Sequence, residues 1–223
     1  MDDKLKTLEQ DGRVWFHGAL NSTDIKALSQ ACNSSKQHGT RINWDSHQAR
    51  ILRKITNLHL LAEGLLTNAK PVRALVFNKS TRTNWVVPWH QDRVIAVQEK
   101  LSVEGYNNWT KKSDVWHVEP PTHILDKMVF ARVHLEDSAE DNGSMEIALG
   151  SHKHGKISPE TCIQIIPSFQ TEMCIAQKGD VLIVKALTLH RSQASRSNKM
   201  RRTLRVDYSN QALPFPLQWA ELS

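Results

Sequence analysis

The stretch MVFARVHL at residues 128–135 alternates between two kinds of side chain. Successive residues of a β-strand point to opposite faces, so the stretch predicts a strand with two different faces. One face is aliphatic throughout: Val129, Ala131, Val133 and Leu135. The other face carries an aromatic ring and two titratable groups: Phe130, Arg132 and His134. A buried charge is costly unless it binds a partner, so the pattern favours a barrel whose polar interior holds a ligand.

A second stretch, RRTLRVDY at residues 201–208, alternates in the same way. Its apolar face carries Leu204, Val206 and Tyr208, and its polar face carries Arg201, Thr203, Arg205 and Asp207. Neighbours on a strand face opposite ways, so only one of Arg201 and Arg202 can point inward. The polar set is the better inner face. Arg201 is therefore predicted inside the barrel, and Arg202 is expected to pack at the surface.

Other short strands are predicted at residues 72–78, 85–92, 145–149 and 181–185. Many short strands separated by turn residues predict a mainly β sandwich or barrel.

Residues 1–70 are predicted to be mostly helical. The run Asn21-Ser22-Thr23-Asp24 is a signal for a helix N-terminus, and a second helical pattern runs from Ile51 to Leu66. Residues 33–47 are polar and predict a loop. We expect the helices to cover one face of a sheet.

We interpret residues 1–223 as one domain, with a helical part at 1–70 and a β core at 72–209. Residues 93–125 form a long connection inside that core. A connection of this length beside a candidate site is often a lid or a substrate-binding insert, and the alternative is an ordinary surface excursion.

Composition limits the class of protein and of partner. The chain has 223 residues and a net charge of +6. No apolar run approaches the ~20 residues that span a bilayer, and the first residues are not a signal peptide, so we expect a cytoplasmic protein that binds no membrane. Residues 181–206 contain seven Lys and Arg and no Asp or Glu. Basic clefts concentrate anions, which favours an anionic small molecule over nucleic acid, since the remaining basic residues are scattered.

Candidate metal ligands occur in WHQD at residues 89–92, where His90 and Asp92 lie two apart and therefore share one face of a strand. A distant histidine, His190, would complete a set of two nitrogens and one carboxylate. That set leaves coordination positions open and suits Fe(II) and O2 chemistry. Because the chain has 11 histidines, an isolated His-x-Asp pair is weak evidence on its own.

The weight comes from motifs that follow one another in a fixed order. They are PWHQD at 88–92, EDNG at 140–143, GSHK at 150–153, GD at 179–180, His190-x-Ser192 and Arg201. In this order the chain resembles the phytanoyl-CoA dioxygenase family of Fe(II)- and 2-oxoglutarate-dependent oxygenases. The resemblance implies a double-stranded β-helix, a cupin-like jelly roll with N-terminal helices packed on the larger sheet. Leu149 departs from the proline that usually precedes Gly-Ser-His in the family.

The resemblance also implies roles for individual residues. His90, Asp92 and His190 match the iron ligands. Arg201 matches the arginine that pairs with the distal carboxylate of 2-oxoglutarate, and Ser192 matches a hydroxyl that supports it. A guanidinium binds a carboxylate through two parallel hydrogen bonds, which agrees with that role.

Weaker candidates surround this set. Asn84 is a further cosubstrate or substrate candidate, and so is Arg132. The substrate candidates are Arg132, His134, Trp109 and Trp116. His117 and His123, which lie in the insert, are interpreted as surface residues.

The implied reaction hydroxylates a C–H bond of a small molecule with O2 and releases succinate and CO2. Asp92 favours hydroxylation over halogenation, because related halogenases carry glycine or alanine there. Two alternatives stay open. The basic charge suggests a nucleic-acid demethylase relative, although no element that reads DNA is recognisable. A non-catalytic cupin-like binding module is the other, although it would be expected to have lost one of these residues. Neither the substrate nor an oligomeric state follows from the sequence.

Overall fold

The computed structural model describes residues 1–33, 39–80 and 83–221. Its large sheet contains the strands β1 (Arg13–Phe16), β2 (Gly39–Arg41), β3 (Lys70–Lys79), β8 (Met128–His134), β11 (Val181–Lys185) and β13 (Arg201–Ser209). They are antiparallel and follow the order β1-β11-β8-β13-β3-β2. The two alternating stretches are thus the central strands β8 and β13, which pair side by side.

A small sheet forms the second wall. It contains β4 (Val87–His90), β9 (Met145–Ala148), β10 (Thr171–Met173) and β12 (His190–Ser192), in the order β10-β9-β12-β4. Side chains from the large and the small sheet line one shared cavity. The chain is therefore mainly β and forms the predicted jelly roll.

Residues 93–125 form a third sheet rather than an irregular connection. Its strands are β5 (Ile95–Val97), β6 (Asn107–Lys112) and β7 (Val115–Glu119), in the order β5-β7-β6. The C-terminal segment packs against it, because Leu217 and Trp219 share its hydrophobic cluster and Trp219 forms a β-bridge with Val97.

The helices are α1 (Asp2–Asp11), α2 (Ser22–Ala31), α3 (His47–Arg53), α4 (Thr56–Leu65), α5 (Thr122–Asp126) and α6 (Pro159–Ile165). The predicted N-terminal cap of α2 is Asn21, whose side chain accepts a hydrogen bond from Asp24 N at 2.8 Å. The first four helices cover the outer face of the large sheet. Their buried leucines, such as Leu28 and Leu58, share a core with Val133 and Val206, and burying each such side chain stabilises the fold by about 1.5–3 kcal/mol. Within the described ranges, no helix is long and apolar enough to cross a membrane.

The N-terminal region differs from the prediction in two ways. It contains the edge strands β1 and β2, whose partners β11 and β3 are distant in sequence, so no local pattern reveals them. The helical pattern at 51–66 belongs to two helices, because Ile55 leaves the helical conformation and is buried in the core. Residues 34–38 of the predicted loop lie outside the described residues.

The two faces of β13 agree with the sequence analysis. Arg201 and Arg205 line the cavity, whereas Leu204, Val206 and Tyr208 belong to the core beneath the helices. The expectation that Arg202 packs at the surface is wrong. Its side chain is 7% exposed, and its Nη2 donates to Glu136 Oε1 at 2.6 Å, because the helices bury this face of the sheet.

Candidate metal centre

His90, Asp92 and His190 converge at one end of the small sheet. His90 ends β4, His190 begins β12, and the two are paired across these strands. Their ring centroids lie 4.2 Å apart. One potential ligand atom from each of the three residues lies within 4.8 Å of the others. The set predicted from the sequence is therefore assembled in space.

The backbone orients both imidazoles. His90 Nδ1 lies 2.9 Å from the carbonyl oxygen of Pro88, and His190 Nδ1 lies 2.9 Å from that of Thr188. A carbonyl can only accept, so each Nδ1 carries the proton and each Nε2 keeps a free lone pair. Histidine ligands commonly donate their other ring N–H in this way. His190 Nε2 faces the third ligand, 3.3 Å from Asp92 Oδ2.

A chain of ion pairs holds the Asp92 carboxylate in position. Arg205 Nη1 donates to Asp92 Oδ2 at 2.7 Å, and Arg205 Nε donates to Asp207 Oδ1 at 2.5 Å. Arg73 then binds the other oxygen of Asp207, also at 2.5 Å. The Arg205 guanidinium lies over the Phe130 ring, 4.0 Å from its centroid. The orientation of Asp92 is thus fixed by β13.

The electrostatics favour the metal-binding protonation states of Asp92 and His190. Burial disfavours the charged form of Asp92, but Arg205 and the two imidazoles outweigh burial and hold its pKa well below the usual range. Burial, and then the nearby His90, lower the pKa of His190 to about 3. A charged carboxylate and neutral imidazoles are what a divalent cation requires.

The three residues line a cavity of about 450 Å³. The large sheet contributes Arg41, Arg73, Leu75, Phe77, Phe130, Arg132, Arg201 and Arg205 to the lining, and the small sheet contributes Val87, Met145, Arg191 and Ser192. Lys112 and His117 come from the third sheet, Ser113 from the turn between β6 and β7, and Trp85 from the segment before β4. A cavity of this size holds a small organic molecule.

Arg201 and Ser192, the predicted cosubstrate residues, lie in this cavity. Arg201 is 2% exposed, and its Nε and Nη1 have no hydrogen-bond partner among the described residues. Ser192 Oγ accepts a hydrogen bond from Lys79 Nζ at 3.0 Å. Burial, followed by the charges of Arg201 and Arg132, lowers the pKa of Lys79 to about 7.

Of the weaker cosubstrate and substrate candidates, some line the cavity and others do not. Arg132 lines the cavity, whereas His134 is fully buried beneath it and is not among the lining residues. Asn84 lies away from it, where its side chain makes two hydrogen bonds with the backbone of Ser195, at 2.7 and 2.8 Å.

Trp109 and Trp116 do not line the cavity either. Their rings pack edge to face at 6.4 Å on the third sheet and join its hydrophobic cluster.

The insert reaches the cavity through a residue that was expected at the surface. His117 is 7% exposed, and its Nε2 accepts a hydrogen bond from Arg41 Nη1 at 3.2 Å. Burial, and then Arg41 and Arg73, lower its pKa to about 4. The interpretation of His117 as a surface residue is therefore wrong, because β7 turns its side chain toward β2. Arg41 also binds Glu221, a partner 180 residues away that no local pattern indicates.

Residues 8–203 match the family described as Phytanoyl-CoA dioxygenase (PhyH). This chain belongs to that family. The assignment places it among Fe(II)- and 2-oxoglutarate-dependent oxygenases, and the two imidazoles and one carboxylate found here fit the iron of such enzymes. No curated protein sequence matches the chain.

Several solved structures are similar to this chain in fold. AviO1 from Streptomyces viridochromogenes Tue57 has a TM-score of 0.69 at 16% identity, with 96% of each chain covered. The epimerase SnoN of nogalamycin biosynthesis, solved with Fe3+, alpha ketoglutarate and nogalamycin RO, has a TM-score of 0.70 at 16% identity, covering 94% of this chain and 83% of SnoN. EctD from S. alaskensis, solved with 2-oxoglutarate and 5-hydroxyectoine, has a TM-score of 0.70 at 12% identity, covering 94% of this chain and 76% of EctD.

Proposed function

We propose that this oxygenase hydroxylates a C–H bond of an anionic small molecule, with iron bound by His90, Asp92 and His190 and 2-oxoglutarate bound by Arg201 and Ser192. The observation that carries the proposal is the pairing of two features in one cavity. Three ligand atoms meet within 4.8 Å, and a buried arginine with unused donors lies in the same space.

Bound iron would activate O2 while 2-oxoglutarate is converted to succinate and CO2, and the protein's residues prepare the site for that chemistry. Asp92 and the two imidazoles hold the metal and leave coordination positions open. Arg205 orients Asp92 through its 2.7 Å hydrogen bond. Arg201 supplies a charge in a water-poor interior, where a contact with a carboxylate is strong.

The proposed anionic substrate is supported by the wall that the insert and the edge of the large sheet share. Arg41, Arg73, Lys112 and His117 line this wall, and the carboxylates that pair with Arg41 and Arg73 are not among the lining residues. Arg41 Nη2 is buried and has no partner within the described residues, so it can donate to a negatively charged group.

Hydroxylation is the simplest outcome for a site with a complete ligand set, since Asp92 occupies the position that related halogenases leave free for chloride. A non-catalytic module is less well supported, because the three ligands and Arg201 are all in place. An epimerase and a carbocyclase occur among proteins of similar fold, so the reaction type needs a direct test.

The test incubates the metal-loaded protein with 2-oxoglutarate, O2 and a mixture of small carboxylic and phosphoric acids. Mass spectrometry then follows succinate and any compound that gains one oxygen atom. We expect one acid to gain oxygen in proportion to succinate, and we expect His190→Ala to form neither product. Loss of two hydrogens, or a mass-neutral change in stereochemistry, would replace hydroxylation by another oxidation.

A further inference from the structure

Among the described residues, six arginines line the cavity, and they fall into two groups. Four of them are paired with an internal carboxylate within 4.0 Å: Arg41 with Glu221, Arg73 with Asp207, Arg191 with Glu146, and Arg205 with Asp92 and Asp207. Arg132 and Arg201 have no such partner in the described part of the chain. Both are more than nine-tenths buried, at 7% and 2% exposure. An unpaired buried charge is costly, so each of the two needs an anion that the protein does not itself supply.

The unpaired groups form one patch on the inner face of β8 and β13. The strand register places Thr203 opposite His134 and Arg205 opposite Arg132, and Arg201 lies two residues before Thr203. In this patch Arg132 Nε, both ring nitrogens of His134, Arg201 Nε and Nη1, and Thr203 Oγ1 all lack a hydrogen-bond partner among the described residues. Buried polar atoms are normally satisfied, so their concentration on two adjacent strands indicates the place of a polar ligand.

Arg132 lies opposite Arg205 in the strand register and shares the inner face of the large sheet with Arg201. Its Nη1 reaches only the sulfur of Met145, at 4.0 Å, and Met145 is paired with Ser192 across β9 and β12. Burial, and then the charge of Arg132, lower the pKa of Arg201. Arg41 and Arg73, on the wall shared by the insert and the edge of the large sheet, differ from Arg132 because each already has a carboxylate partner.

We infer that Arg132 is a second binding residue for 2-oxoglutarate, so that the distal carboxylate lies between the Arg132 and Arg201 guanidinium groups. This inference rests on the proposed function, in which Arg201 holds that carboxylate. Each guanidinium can donate to a different carboxylate oxygen. A carboxylate shared in this way would also reduce the repulsion between the two cations.

The inference distinguishes 2-oxoglutarate from 2-oxopentanoate, which has the same chelating end and chain length but a methyl group in place of the distal carboxylate. Anaerobic titrations of the Co(II)-loaded protein with each ligand give the two dissociation constants. We expect Arg132→Met to weaken 2-oxoglutarate binding by about 10- to 100-fold, the range of a charge-assisted hydrogen bond. Its effect on 2-oxopentanoate should stay within about threefold. Arg132→Lys, which keeps the charge but loses the fork, should lie between the wild type and Arg132→Met.

A double-variant cycle gives a second, independent readout. If both arginines hold one carboxylate, the loss caused by Arg132→Met should change when Arg201 is already methionine, because contacting groups are not additive. Strict additivity of the two losses would contradict a shared carboxylate.

Each outcome has a defined meaning. Equal weakening of both 2-oxo acids by Arg132→Met would show a structural effect and overturn the inference. An unchanged affinity for 2-oxoglutarate would also overturn it and leave Arg132 to the substrate. A wild-type protein that binds Co(II) but shows no preference for 2-oxoglutarate over 2-oxopentanoate would overturn the proposed function as well.

Discussion

Arg201 and Arg202 are neighbours on one strand, but they lie on opposite faces of the large sheet and differ in their ion-pair partners. On the outer face, Arg202 donates to Glu136 at 2.6 Å and to Asn33 at 3.1 Å. On the inner face, Arg201 is even more buried, at 2% exposure, and two of its nitrogens have no partner among the described residues. Arg202 completes an ion pair within the chain, whereas Arg201 has no such partner among the described residues.

This difference separates arginines that stabilise the fold from arginines that bind a ligand. A buried cation paired within the chain contributes to folding only as part of its pair. A buried cation without a pair lowers stability in the ligand-free protein, and a bound anion recovers that loss. Substitutions of Arg201 and Arg202 should therefore have opposite consequences, one for ligand binding and the other for stability.

The largest expected effect is on cosubstrate affinity. Arg201→Met removes one partner of a buried charge pair with 2-oxoglutarate, which costs on the order of 2–5 kcal/mol, or roughly 30- to 5,000-fold in affinity. Arg202→Met should change this affinity by less than about threefold, because its side chain points away from the cavity. Titration of the anaerobic Fe(II) protein with 2-oxoglutarate measures both. A larger loss of 2-oxoglutarate affinity in Arg202→Met than in Arg201→Met would mean that Arg202, and not Arg201, faces the cavity.

The same two variants should reverse their order in stability. Arg202→Met leaves the carboxylate of Glu136 without its cation and should lower the free energy of unfolding by roughly 2–3 kcal/mol, less than for a fully buried pair, because the Glu136 side chain keeps 26% exposure. Arg201→Met removes an unpaired buried charge and should leave stability equal or higher. Urea denaturation of the ligand-free proteins tests this. A destabilised Arg201→Met would mean that Arg201 has a structural partner.

A third substitution tests an inner-face arginine that does have a partner. Arg205→Met removes the donor that lies 2.7 Å from Asp92 Oδ2, so Asp92 should lose its fixed orientation. Residues that orient metal ligands typically contribute 10- to 100-fold in metal affinity, and we expect a loss of about that size. Co(II) titration gives the value. Arg73→Met, one step further along the chain of ion pairs, is the matched control and should cost less. Equal losses of Co(II) affinity in the two variants would indicate that these ion pairs stabilise the fold and do not orient Asp92.

The smallest effect concerns pH. The pKa of His117 is lowered to about 4 in the folded protein, by burial and then by Arg41 and Arg73, from about 6.5 in the unfolded chain. Protonation of His117 therefore favours the unfolded state. The stability that the neutral form of His117 maintains is present above pH 6.5 and is lost as the pH falls toward 4. Between pH 6.5 and 5.5 the metal-free wild type should lose about 1 kcal/mol more than His117→Gln. Identical pH profiles for the two proteins would contradict a buried neutral His117.

Much of this contrast could be predicted from the sequence, because it depends on local periodicity. The alternation at 128–135 and 201–208 is enough to place Arg132 and Arg201 on the inner face and Arg202 on the outer one. The ligand set was equally accessible, since two of its members share one short motif and the third begins the motif His190-x-Ser192.

What the sequence could not supply are the pairs formed between distant segments. Arg205 and Asp207 were visible on the polar face of β13, but their contacts with Asp92 and Arg73 depend on the packing of strands. His117 was misplaced because its burial is caused by Arg41 on another sheet. Trp109 and Trp116 were candidates for a substrate wall, but they pack against each other instead, since the insert has its own small core.

The most direct test of the account is an anaerobic titration with Fe(II) and 2-oxoglutarate, followed by the charge-transfer absorption that the two produce together. We expect one iron per chain in the wild type and an absorption band that requires both components. His190→Ala should bind little iron and show no band, whereas Arg201→Met should keep its iron and need far more 2-oxoglutarate. An unchanged band in His190→Ala, or a band in Arg201→Met that saturates at the wild-type concentration, would contradict the assigned site.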